Sequence, residues 1–119
     1  MAPAIAYAAE GYPASAQLCL MWQRAARRYL QMDAGGVFEA WKRTFLPGGQ
    51  APAFGDIIRL PDHARSLEKI SATDAEAFYR GELTERILRD SREFGGFFEA
   101  ADFEKTLKLM LEEPLQVIL

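Results

Sequence analysis

The chain of 119 residues is long enough for one small domain, and its 50% hydrophobic and 26% charged residues are typical of a globular protein. Its net charge is −3, and basic residues never form a run longer than the pair Arg27–Arg28, which argues against a nucleic-acid partner. One cysteine and one histidine exclude an intrachain disulfide and a Cys/His zinc site, and no stretch approaches the roughly 18 apolar residues of a membrane span.

Glycine and proline turns divide the first half of the chain into two predicted helices. Ser15 is a suitable N-cap for a helix that runs to about Gln31. Apolar residues recur in this helix at spacings of three and four, which predicts one buried face. That face consists of Leu18, Met21, Trp22, Ala25, Tyr29 and Met32. Gly35 suits the left-handed conformation that ends helices, and a second helix is predicted over about Val37–Phe45.

The second half predicts a loop followed by further helices. Residues 47–61 hold three prolines and three glycines, so they form a loop, in which Asp56–Leu60 is a candidate short strand. Pro61 suits the first turn of a helix that runs to about Ile70. Thr73-Asp-Ala-Glu76 reads as a capping box, in which the Thr73 side chain accepts from the Glu76 amide.

Two more helices are predicted, one from about Glu82 to the Gly95-Gly96 pair and one over about Ala100–Glu112. Together these segments amount to five or six short helices, with little strand signal and no internal repeat. We therefore expect an all-α fold, organised as a single helical domain over residues 1–119.

The side chains that carry nucleophilic chemistry do not form a recognisable set. Any serine nucleophile would depend on His63 as its base, and a lone histidine in the first turn of a helix is more typical of an exposed surface position. Cys19 lies among leucines in the middle of a helix, without a base or a helix N-terminus to lower its pKa. We interpret Cys19 as a packed thiol.

Three other groups also favour structural interpretations. Glu82, Glu85, Asp90 and Glu93 alternate with arginines at helical spacing, which indicates a solvated face with ion pairs rather than a carboxylate or metal site. The paired glycines match no phosphate-binding pattern, and helix termination explains them. The two tryptophans, with Tyr29 and Phe38, are expected to pack in the core. We accordingly predict no catalytic, cofactor-binding or metal-binding residue and no cofactor.

Several motifs occur in one order along the chain. The sharpest is Ala77-Phe-Tyr-Arg-Gly-Glu-Leu83, which matches the pattern A-F-Y-x-G-x-[IL]. The others are Gly11-Tyr-Pro13, Phe45-Leu-Pro-Gly-Gly49 with Pro52 and Gly55-Asp56, Leu60–Ile70, Phe94-Gly-Gly-Phe97 with Ala101-Asp-Phe103, and Glu113-Pro-Leu115. Read together, they resemble the gamma-glutamyltranspeptidase family. Leu60 and His63 depart from the usual asparagine and aliphatic residue of that family.

The resemblance implies an enzyme that cuts its own chain and then uses the new N-terminal threonine to attack a gamma-glutamyl amide such as glutathione. That threonine would follow Leu119, and the arginine that binds the substrate carboxylate would precede Met1. No family catalytic residue is therefore transferred to this sequence. The resemblance implies that the chain is a helical lobe of the large subunit, without its αββα sandwich, and is inactive by itself.

The expected partners are the rest of the large subunit and the small subunit. Self-association through exposed apolar surface is a further expectation, with Leu107–Leu119 as its main candidate. The N-terminus has no signal-peptide pattern, and the resemblance is compatible with a periplasmic, secreted or cytoplasmic location. The alternative function is a stand-alone helical module for protein interaction.

Overall fold

The computed structural model describes residues 1–33 and 35–112, in two compact units, Met1–Leu67 and Glu68–Leu119. Six α-helices have seven or more residues, and a seventh has a single turn. They are α1 (Ala2–Glu10), α2 (Ala16–Met32), α3 (Glu39–Phe45), α4 (Pro61–Ala72), α5 (Glu76–Tyr79), α6 (Glu82–Glu93) and α7 (Ala100–Glu112). The predicted all-α class is confirmed; the prediction of a single domain stays a prediction.

The described residues form one small β-sheet, which has two antiparallel strands. β1 (Tyr12–Pro13) pairs with β2 (Ile57–Ile58), with Tyr12 opposite Ile58 and Pro13 opposite Ile57. The candidate strand over Asp56–Leu60 is thus confirmed in its centre. Its pairing with the Gly-Tyr-Pro turn was not predicted, because two residues are too short to show a strand period.

The core of the first unit forms where this sheet meets α2. Ala14, Cys19 and Ile58 are buried together, and Cys19 is only 4% exposed. Around them pack the half-buried side chains of Tyr12, Leu18, Trp22 and Leu60. The interpretation of Cys19 as a packed thiol is therefore confirmed.

Helix α2 begins and ends as its sequence predicts. The Leu18 amide donates to Ser15 Oγ at 3.2 Å, and Gly35 adopts a φ of 74° just beyond the helix. The predicted buried face is wrong at two positions, since Met21 and Met32 are 60% and 55% exposed. At 100° per residue, Met21 and Met32 lie roughly 150° and 130° around the axis from the centre of the buried face, which Cys19 and Ala26 define.

The capping box at Thr73 is wrong. Its hydroxyl accepts from the amide of Ala77 at 3.0 Å, not from that of Glu76, and donates to the carbonyl oxygen of Lys69. The cause is a left-handed turn, because Asp74 and Ala75 have φ values of 47° and 69°. Thr73 therefore joins the end of α4 to the start of α5.

In the second unit, α5, α6 and α7 pack around a small apolar centre. Leu88 and Phe103 are buried there, and the ring of Phe78 meets Phe103 edge-on at 5.9 Å between centroids. Two polar side chains are buried with them and are hydrogen-bonded. Thr84 Oγ1 donates to the carbonyl oxygen of Phe78, and Ser91 Oγ accepts from the amide of Phe98 at 3.2 Å.

An ion pair closes the turn between α2 and α3. Lys42 Nζ contacts both Asp33 and Glu39, and the amide of Phe38 donates to Asp33 Oδ1 at 3.4 Å. The hydrogen bond from Lys42 is the main cause that lowers the pKa of Asp33, and the same bond raises the pKa of Lys42. The pair stabilises the turn while both groups are charged.

Replacing Gly11 by alanine is expected to destabilise the fold. Gly11 has a φ of 99° and a ψ of 169°, a region that only glycine occupies readily, and an added Cβ would lie 2.5 Å from Ile57 Cγ2. The backbone strain alone costs about 1–3 kcal/mol, and the steric clash adds to it. Chemical denaturation followed by circular dichroism measures the loss. Gly55→Ala is the matched control, because Gly55 also has a positive φ but no atom within 4 Å of its Cβ position; an equal loss in both variants would contradict the clash.

Asp33→Asn should lower stability at neutral pH and have a diminishing effect in acid. Because the folded-state pKa of Asp33 lies below its usual 3.8, its contribution is present above that value and is lost as pH falls through the folded-state pKa. Denaturation midpoints of both proteins, measured from pH 7 down to pH 2, should therefore converge. The control is Glu104→Gln, since Glu104 is exposed and has no ion pair within the described residues. A difference for Asp33→Asn that stays constant across this range would contradict the assignment.

Candidate functional site

The sole histidine of the sequence is on the surface and takes part in aromatic packing. His63 lies in the first turn of α4, and its ring meets that of Phe45 at 5.9 Å and an interplanar angle of 66°. No hydroxyl or thiol is recorded as its hydrogen-bond partner within residues 1–33 and 35–112. The interpretation as an exposed residue at a helix start is confirmed.

Most hydroxyl groups of serine and threonine are engaged with the backbone. Ser15, Thr73, Thr84, Ser91 and Thr106 each form a hydrogen bond to a main-chain amide or carbonyl group. Such bonds cap helices and close turns. A nucleophilic hydroxyl instead needs a neighbouring base, which these five lack in the described structure.

The acidic face of α6 contains ion pairs. Glu82 contacts Arg86 one turn later at 2.5 Å and also contacts Lys69 of α4. These two positively charged side chains lower the pKa of Glu82, with the hydrogen bond from Lys69 as the largest cause. Within the described part of the chain, no group of three or more His, Cys, Asp or Glu residues is placed to hold a metal ion. The prediction of a solvated face with ion pairs is confirmed for Glu82.

Aromatic rings bridge α2 and α3. Tyr29 stacks on Phe38 at 5.4 Å and meets Trp41 edge-on at 4.9 Å. Trp22 meets Phe45 edge-on at 5.7 Å, and Trp22 Nε1 donates to the carbonyl oxygen of Phe45 at 2.7 Å. Because these half-buried rings pack on each other, they form the contact between the two helices, as the sequence predicts.

A cavity of about 210 Å³ lies beside β2 in the first unit. Its apolar walls come from Trp22, Phe45, Pro47, Ala51, Pro52, Ile57, Ile58 and Leu60. Thr44, Gln50, Asp56 and Arg59 add polar groups. Sequence patterns did not predict this cavity, because the loop over residues 47–61 has no periodicity. Its one sequence signal is a pair of prolines and a pair of isoleucines that follow Phe45 along the chain.

Large apolar side chains are exposed at two places in the second unit. Phe97, in the connection between α6 and α7, is 97% exposed. Near the end of α7, Leu109, Met110 and Leu111 are between 49% and 71% exposed. The predicted association segment Leu107–Leu119 is thus exposed in part, and residues 113–119 lie outside the described residues. In the described residues, every helix is too short or too polar to cross a membrane.

The chain resembles an acylase and a gamma-glutamyltranspeptidase of known structure. The cephalosporin acylase from Bacillus halodurans superposes with a TM-score of 0.83 and 38% identity over 87% of this chain. Helicobacter pylori gamma-glutamyltranspeptidase superposes with a TM-score of 0.77 and 28% identity, also over 87%. Among curated relatives, glutathione hydrolase proenzyme 2 of Schizosaccharomyces pombe is 29% identical over 85% of this chain.

The match covers nearly all of this chain but a small part of each relative. The chain spans 19% of the acylase chain, 28% of the Helicobacter chain and 16% of the Schizosaccharomyces protein. The family model described as gamma-glutamyltranspeptidase matches residues 1–117. The chain therefore belongs to the gamma-glutamyltranspeptidase family.

Proposed function

We propose that these 119 residues are a structural helical lobe of a gamma-glutamyltranspeptidase-like enzyme and contain none of its catalytic groups. The observation that carries the proposal is the engagement of most of the candidate nucleophiles. Five hydroxyl groups bond to the backbone, Cys19 is buried, and the ring of His63 packs on Phe45. A lobe of this kind supports the reaction by packing, not by chemistry.

The expected partners are the remaining large-subunit polypeptide and the small subunit of the same enzyme. Two features support an extensive contact with other polypeptide. The relatives are several times longer than the matched segment. Within residues 1–33 and 35–112, no large side chain is completely buried, so the apolar surface of this lobe is incompletely covered by its own residues.

The reaction of the whole enzyme is the transfer or hydrolysis of a gamma-glutamyl group, as in glutathione. A second substrate class is the acyl amide of a cephalosporin, which the 38% identity to the Bacillus halodurans acylase favours. Both reactions open an amide through an acyl intermediate, so one lobe suits either. Self-association of the isolated chain stays a prediction.

The purified chain should hydrolyse neither gamma-glutamyl p-nitroanilide nor a cephalosporin with an amide-linked acyl side chain. The reason is the lack of a nucleophile–base pair among the described residues. Release of p-nitroaniline and of the free cephalosporin amine are the measurements, with the Helicobacter pylori and Bacillus halodurans enzymes as positive controls. Turnover that purifies with the chain and is abolished by His63→Ala would overturn the proposal, because it would place a working base in this lobe.

A further inference from the structure

We draw no further inference here: the strongest candidate, the apolar surface patch at Phe97 and Phe98 in the connection between α6 and α7, carries none because nothing in the structure shows what covers it.

Discussion

The short ladder between β1 and β2 is the constraint on which the first unit depends. It joins segments that are far apart in the sequence. One backbone hydrogen bond beyond each end of the ladder continues the pairing of the two segments. The Leu60 amide donates to the carbonyl oxygen of Ala8, and the Ala14 amide donates to that of Asp56, both at 2.8 Å. The end of α1, the start of α2 and the start of α4 are thereby held at one place.

Gly11 makes this ladder geometrically feasible. The chain leaves α1 and enters β1 at this residue, beside the side chain of Ile57 and the carbonyl oxygen of Ile58. A side chain there would displace β2 from α2, and the buried cluster around Cys19 would open. The two-residue strand thus constrains more of the chain than its few hydrogen bonds suggest. The entropy cost of closing the long loop between β1 and β2 arises once, and the other contacts of this region then form without a further cost of loop closure.

Helix content and helix ends were predictable from the sequence, because caps and glycine conformations depend on nearby residues. Ser15 and Gly35 show this for α2. The orientation of α2 was less predictable, since Met21 and Met32 satisfy the same spacing rule as truly buried residues and only tertiary contacts decide between faces. The capping box predicted at Thr73 was wrong for a similar reason. The left-handed turn at Asp74 and Ala75 contains no glycine that would indicate it in the sequence, and it moved the helix start by two residues.

That the chain contains no catalytic residue stays a prediction, and what the sequence did predict is the setting of its one histidine and one cysteine. One histidine and one cysteine limit the combinations, and their placement depends on packing that a local pattern indicates well. The cavity beside β2 was not predictable, because it depends on which helices pack against the loop over residues 47–61. That information lies in long-range contacts, not in the loop itself.

Amide hydrogen exchange at residues 57–59 tests the account most directly. Hydrogen-bonded and non-hydrogen-bonded residue pairs alternate along an antiparallel ladder. If the ladder forms as described, the Ile58 amide bonds to β1 and exchanges slowly, whereas the amides of Ile57 and Arg59 face outward and exchange at rates near those of an unstructured chain. Fast exchange at all three positions would show that the ladder is absent. Slow exchange at Ile57 and Arg59 in the isolated chain would show that these two amides are bonded to other groups, and either result would contradict the account.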